Sequence, residues 1–133
     1  MKVFLDANVL FTAAYNPNGR AALLIKNSDS FTLITSEYAV EEARRNIIAK
    51  KKASFPELVL VLSLVEVVPD VMGICPIPLP PKDQPIFLSA LRAKATHLLT
   101  RDLKDFGAFM NRPGKTCGIL IQTVADFFAD LKI

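Results

Sequence analysis

Short apolar runs alternate with stretches of helical spacing along the whole chain. Val3 to Leu5 is an apolar run that ends in an acid, Asp6, and Ala7 to Ala14 suits a short helix until Asn16-Pro17-Asn18-Gly19 breaks it. Arg20 to Lys26 reads as a second helical piece, and Phe31 to Thr35 as a β-branched strand. Ser36 is placed to cap a helix running to about Lys52. Ser54-Phe55-Pro56-Glu57 fits a capping box, in which the Ser hydroxyl takes a first-turn amide and the Glu reaches back, and Leu58 to Leu64 continue as a buried helix. Val65 to Val68 is a third strand. Pro76, Pro78, Pro80 and Pro81 forbid both helix and central strand, so residues 70–82 form an extended connection ending at Asp83.

From Gln84 to Ala95 the spacing of Ile86, Leu88, Leu91 and Ala95 is helical, with Pro85 tolerated in the first turn. His97 to Thr100 is a fourth strand, Arg101 to Asp105 a polar turn, and Phe106 to Met110 a short helix. After a loop at Arg112-Pro113-Gly114-Lys115, Ile119 to Gln122 gives a fifth strand and Val124 to Leu131 a closing helix. Strands alternating with helices over a short chain predict a three-layer α/β/α sandwich around a mostly parallel five-stranded sheet. No internal repeat or linker divides it, and residues 1–133 read as one domain.

Composition narrows the picture. With 133 residues, 51% of them hydrophobic, the chain can fill one core and is short for two ordinary domains. The longest strongly apolar run, Leu58 to Val65, spans 8 residues and includes Ser63, far less than a bilayer crossing requires. Asp6 and Asn8 interrupt the apolar start before a secretory core forms, so a cytoplasmic protein is expected. Cys75 and Cys117 lie far apart with no CxxC spacing, which predicts ordinary buried thiols and no zinc site or disulfide framework. The net charge of +3 suits a polyanionic partner without requiring one.

Chemistry is expected where strands of an open parallel sheet end and connections begin. Asp6 ends the first strand and Asp102 follows the fourth, while Glu42 and Asp83 ride on or begin helices that could face the same edge. Carboxylates gathered in a cleft repel one another unless something positive sits between them. A divalent cation supplies that charge, and an all-oxygen donor set favours a hard ion over zinc, for which the lone His97 offers too little. Each acid also has a plainer reading: Asp6, Asp83 and Asp102 could be N-caps, and Glu42 a solvated helix residue.

The order and context of these acids resemble the PIN-domain nucleases across nearly the whole chain. The likeness rests on VFLDANVL with Asp6, TSEYAVEE with Glu42, KDQPIFLSALRAKATHLLTRDLKDF with Asp83 and Asp102, and the closing GILIQTVADFF. It implies a ribonuclease that holds Mg²⁺ or Mn²⁺ on Asp6, Glu42, Asp83 and Asp102 and hydrolyses RNA phosphodiester bonds to leave a 5′-phosphate and a 3′-hydroxyl. Many such proteins are toxins of VapBC-type pairs, so a cognate antitoxin is an implied partner and a homodimer a plausible state.

Asn8 and Thr100, polar groups beside ligand positions, are candidates for orienting those ligands by hydrogen bonds. Asp105 could supplement Asp102 or face water. Adjacent Glu41 and Glu42 compete for one role, and Glu42 is chosen because it lies six residues after Ser36, nearer the apolar face of Ala39 and Ala43. Arg101, Lys104, Arg112 and Lys115 are candidates for phosphate contacts. The basic run from Arg44 to Lys52 serves equally well as the cationic end of a helix. Two rivals stand beside this reading: a PIN-like scaffold that binds RNA or protein without turnover, and an aspartate-based phosphatase. The second usually needs another acid two residues after the first, where Asn8 stands.

Overall fold

The computed structural model describes residues 1–132. Strand β1 (Lys2–Leu5) carries three consecutive buried residues, Val3, Phe4 and Leu5, as a strand covered on both faces must. On one side it pairs with β2 (Thr32–Ser36), which pairs in turn with β3 (Glu66–Val68). On its other side lies β4 (His97–Leu99), followed by β5 (Leu120–Gln122). All four pairings are parallel and the order is β3-β2-β1-β4-β5. The chain therefore builds outward from β1 in one direction, returns, and builds outward in the other. The gap between the carboxyl ends of β1 and β4 is where such a sheet opens a crevice.

Helices fill both outer layers and complete the expected three-layer α/β/α architecture. Helices α1 (Ala7–Tyr15) and α2 (Arg20–Lys26) follow β1, while α3 (Glu37–Lys50) and α4 (Phe55–Leu62) join β2 to β3. Helix α5 (Gln84–Arg92) leads into β4, α6 (Leu103–Phe106) leaves it, and α7 (Val124–Leu131) follows β5. α1 packs against α2, α3 and α4, and α2 also meets α7. Ser36 Oγ accepts from the Ala39 amide at 3.2 Å and caps α3 as its position predicts. The buried Phe127 of α7 meets Phe31 and His97 edge-on, which ties the closing helix to the amino end of the sheet.

Four local expectations are corrected. Ser54 makes no capping bond, because residues 52–54 already form a 3₁₀ turn whose backbone runs into α4 and leaves Ser54 out of the extended shape that aims a cap hydroxyl. α5 stops at Arg92, short of Ala95: Lys94 turns to φ +59° and the Ala95 amide bonds back to Ala90 O at 3.0 Å, closing the helix. The helix after β4 begins at Leu103 because Asp102 caps it, and residues 107–109 continue as a 3₁₀ turn. Cys117 is exposed and Cys75 half-buried, so neither thiol is the core residue expected. Among the described residues no helix is long and apolar enough to cross a membrane.

Candidate metal centre

At the crevice, Asp6 is the last residue before α1 and is 4% exposed. Its Oδ1 accepts from the Ala7 amide at 2.7 Å, and its Oδ2 from Thr100 Oγ1 at 2.8 Å and Asn8 Nδ2 at 3.4 Å. Thr100, just past β4, is a junction: the same hydroxyl accepts from the Asp102 amide at 3.0 Å and from Asn8 Nδ2 at 3.3 Å. Asn8 Oδ1 in turn accepts from the Arg101 amide at 2.9 Å. These bonds fasten the end of β1 to the end of β4 and fix the loop that carries Asp102.

Among the described residues, Asp83, Asp102 and Asp105 form a close acidic group, each offering a carboxylate oxygen within 4.8 Å of the others. Asp102 reaches it from the cap of α6, where its Oδ1 accepts from the Asp105 amide at 3.0 Å. Asp83 arrives from the other side, held by a turn in which its amide donates to Pro80 O at 2.9 Å. Unlike Asp6 and Asp102, Asp83 caps nothing, and its Oδ2 is buried without a hydrogen-bond partner. Lys82 fills the group: its Nζ lies 2.9 Å from Asp105, 3.3 Å from Asp102 and 3.9 Å from Asp83.

Burial and crowding disturb these charges. Asp83 is pushed up to about 7, first by burial, then by a hydrogen bond shared with Asp105 and by the negative charge of Asp102 and Asp105, against the pull of Lys82. Burial likewise lifts Asp6 to about 6, opposed by its bonds to Thr100 and the Ala7 amide and assisted by the charges of Glu42 and Asp102. Asp105 is held below the usual carboxylate range, chiefly by its bond to Lys82. That same bond, with the charges of Asp83 and Asp102, keeps Lys82 an ammonium well beyond neutral pH.

The remaining expected residues fall into distinct places. Glu42 lies close enough for its charge to raise both Asp6 and Tyr38, though it is outside the tight acidic group. Glu41 instead spends both oxygens on Arg44 at the surface, at 2.9 to 3.1 Å. Arg101 Nη1 donates to Thr12 Oγ1 at 2.8 Å on the wall of a cleft of about 390 Å³ that also takes in Arg20, Leu103 and Thr123. Lys104 is exposed on α6. Arg112 and Lys115 sit in a loop that leads through Thr116 to the amino end of β5, so Lys115 is carried away from the carboxyl edge. Lys50 and Lys51 of the basic run lie over the rings of Phe11 and Tyr15, a packing role for charges that could have served a ligand. His97 begins β4 at the opposite end from the acids, bonded to Thr96 and packed on Phe127. A cavity of about 440 Å³ between α1, α2 and α4 has mostly apolar walls, including Ala22, Ile25, Leu60 and Leu64, with Lys26 and Glu57 also lining it.

Asp105, read from the sequence as either supplementing Asp102 or facing water, stands inside the acidic group, and the i,i+3 spacing of the two acids on one helical turn is the signal that joins them. Lys82 gave no such signal, being one lysine among several, next to an acid after two prolines.

No family model matches the chain, and no curated protein matches its sequence. Solved structures do match. One is a chain of VapBC2 from Rickettsia felis bound to a DNA fragment from their promoter, with 16% identity over 92% of this chain and 98% of that one, at a TM-score of 0.68. VapBC-1 from nontypeable Haemophilus influenzae aligns with 17% identity over 94% and 99% of the two chains, TM-score 0.60. PAE2754 from Pyrobaculum aerophilum aligns with 19% identity over 99% and 90%, TM-score 0.62. The chain has the PIN-domain fold.

Within this PIN fold the acidic group fits a hard divalent ion. The donors are all carboxylate oxygens, three converge, and one of them, Asp83 Oδ2, is desolvated and left without a donor. Thr100 positions two of the acids at once, so Thr100→Val is expected to weaken Mn²⁺ binding by about 10- to 100-fold, measured by calorimetric titration of the purified protein. Unchanged affinity would show that the junction serves the fold alone.

Proposed function

We propose that this PIN-fold protein is a metal-dependent ribonuclease acting as the toxin of a type II toxin–antitoxin pair. The observation that carries the reading is Asp83: a buried carboxylate with an unpartnered oxygen, facing Asp102 and Asp105 at the crevice of a parallel sheet. A fold with no chemistry to perform gains nothing from that arrangement, since a desolvated carboxylate crowded by like charges, with one oxygen lacking a hydrogen bond, costs stability.

Asp83, Asp102 and Asp105 would hold Mg²⁺ or Mn²⁺, with Asp6 and Glu42 completing the negative field behind it. A divalent ion there would act as a Lewis acid toward a phosphodiester and the water that cleaves it. The protein's own part is placement. Thr100 and the Ala7 amide hold Asp6 as an acceptor, and the Asp105 amide holds Asp102 so that its second oxygen faces the group. Arg101 and Arg20, which line a neighbouring cleft, would take backbone phosphates of an RNA strand, which would make binding weaken with salt. An antitoxin would act by covering this edge. The aspartate-phosphatase alternative receives no support from Asn8, whose amide is spent on Asp6, Thr100 and Arg101.

The test is incubation of single-stranded and structured RNA with wild type and Asp6→Asn, in Mn²⁺ and in EDTA. Cleavage is expected with wild type in Mn²⁺ alone, falling at least about a hundredfold in the variant; in cells, wild type should arrest growth where the variant does not. Equal cleavage by both proteins, or cleavage undiminished by EDTA, would remove the assignment.

A further inference from the structure

Lys82 occupies the place where a cation is wanted. Its ammonium touches Asp105 at 2.9 Å and Asp102 at 3.3 Å, with Asp83 at 3.9 Å, and these are the same three carboxylates that converge within 4.8 Å. Among the described residues the other ion pair, Glu41 with Arg44, is an ordinary surface contact. An ammonium seated on Oδ2 of all three carboxylates takes up oxygens that a divalent ion would use, and two cations crowded among them would repel. The two occupants compete for the same charge.

The build of the segment suits an exchange. Pro80 and Pro81 stiffen the approach, and the Asp83 amide on Pro80 O fixes the backbone beside Lys82. The side chain itself is 60% exposed and enters from solvent, so it can leave without disturbing the core. Asp83 Oδ2, buried and unpartnered, is the oxygen the ammonium serves least well, which leaves a reason for a better cation to displace it.

We infer that Lys82 is a built-in counter-cation, seated among Asp83, Asp102 and Asp105 when the site holds no metal and driven out by an incoming divalent ion, so that it sets how tightly that ion is held. This rests on the metal site proposed above. Lys82 stabilises the metal-free protein by neutralising crowded carboxylates, and every ion that binds must first undo that contact. The apparent affinity for metal is lowered accordingly.

The experiment uses the full chain stripped with EDTA, as wild type, Lys82→Met and Lys52→Met, the last removing a charge that makes no ion pair among the described residues. Mn²⁺ alone is titrated and its binding followed by electron paramagnetic resonance, with thermal melts recorded with and without the ion. Lys82→Met should bind Mn²⁺ about tenfold more tightly than wild type, and Lys52→Met within about twofold of it. Lys82→Met should melt below wild type without metal and level with it at saturating Mn²⁺. Affinity of Lys82→Met within about twofold of wild type, or an equal loss of melting temperature in both conditions, overturns the inference and leaves the metal site standing. Absence of Mn²⁺ binding in every variant overturns both.

Discussion

Asp83→Asn is expected to abolish RNA cleavage while leaving the metal-free protein more stable than wild type. The carboxylate is 5% exposed, one oxygen lacks a partner, and Asp102 and Asp105 crowd it. Burial and the neighbouring acids push its pKa up to about 7, so above neutral pH the folded chain carries a charge that its surroundings disfavour. Asparagine keeps the shape, drops the charge and adds a donor toward the neighbouring oxygens. In EDTA at pH 8, urea melts should show the variant more stable than wild type, with the gain shrinking as pH falls and the wild-type carboxyl takes up its proton. Mn²⁺ should no longer bind tightly, and cleavage should fall roughly a thousandfold. A variant that is less stable than wild type yet cleaves normally would contradict both halves.

The second large effect is a stability profile that runs against habit for a protein rich in paired carboxylates. Asp6 near 6 and Asp83 near 7 hold protons in the folded chain that the unfolded chain releases near 3.8. Through that window the unfolded state binds fewer protons, so stability falls as pH rises; it is fully present below the unfolded value and lost above the folded one. Asp105, depressed by Lys82, works in the other direction, with stability lost on acidification. It is the lesser contribution, because its partner Lys82 reaches it from solvent. His97, whose pKa burial lowers, also opposes the trend, since its contribution to stability is lost on acidification. With two carboxyls raised, thermal melts in EDTA should still fall from pH 5 to pH 8. Saturating Mn²⁺ should reverse the slope, because the ion binds ionised carboxylates and rewards their deprotonation. A metal-free profile that is flat or rises with pH would contradict the shifts assigned to Asp6 and Asp83.

How far these arguments could have been made from residues alone differs by feature. Strand–helix alternation was legible because β1 is buried on both faces and reads as an unbroken apolar run, and α2 and α7 match their expected limits, Arg20 to Lys26 and Val124 to Leu131. Element ends set by backbone geometry were not: nothing in Ala-Lys-Ala announces that Lys94 takes a positive φ and closes α5 early. Asp6 and Asp102 could be placed at one edge because the first directly follows a strand and the second comes three residues after the end of another. Asp83 needed the structure, since its position depends on how a proline-rich connection of a dozen residues threads back across the sheet. Helical geometry only weakly favours Glu42 over Glu41; in the structure Glu41 is paired with Arg44 at the surface while the charge of Glu42 reaches Asp6. Lys82 was opaque because a lysine's charge lies a long, flexible stem away from its backbone, and only tertiary neighbours decide what it meets.

Asp6 and Asp102 each do double duty, accepting amides at the start of α1 and α6 in addition to facing the crevice, whereas Asp83 has no such employment. A descendant of this chain that abandoned its chemistry would still be pressed by folding to retain the first two acids, and would be free, even encouraged, to discard the third. Among proteins sharing this scaffold, the identity of the residue equivalent to position 83 should thus distinguish working copies from inert ones better than the more visible acids at the strand ends.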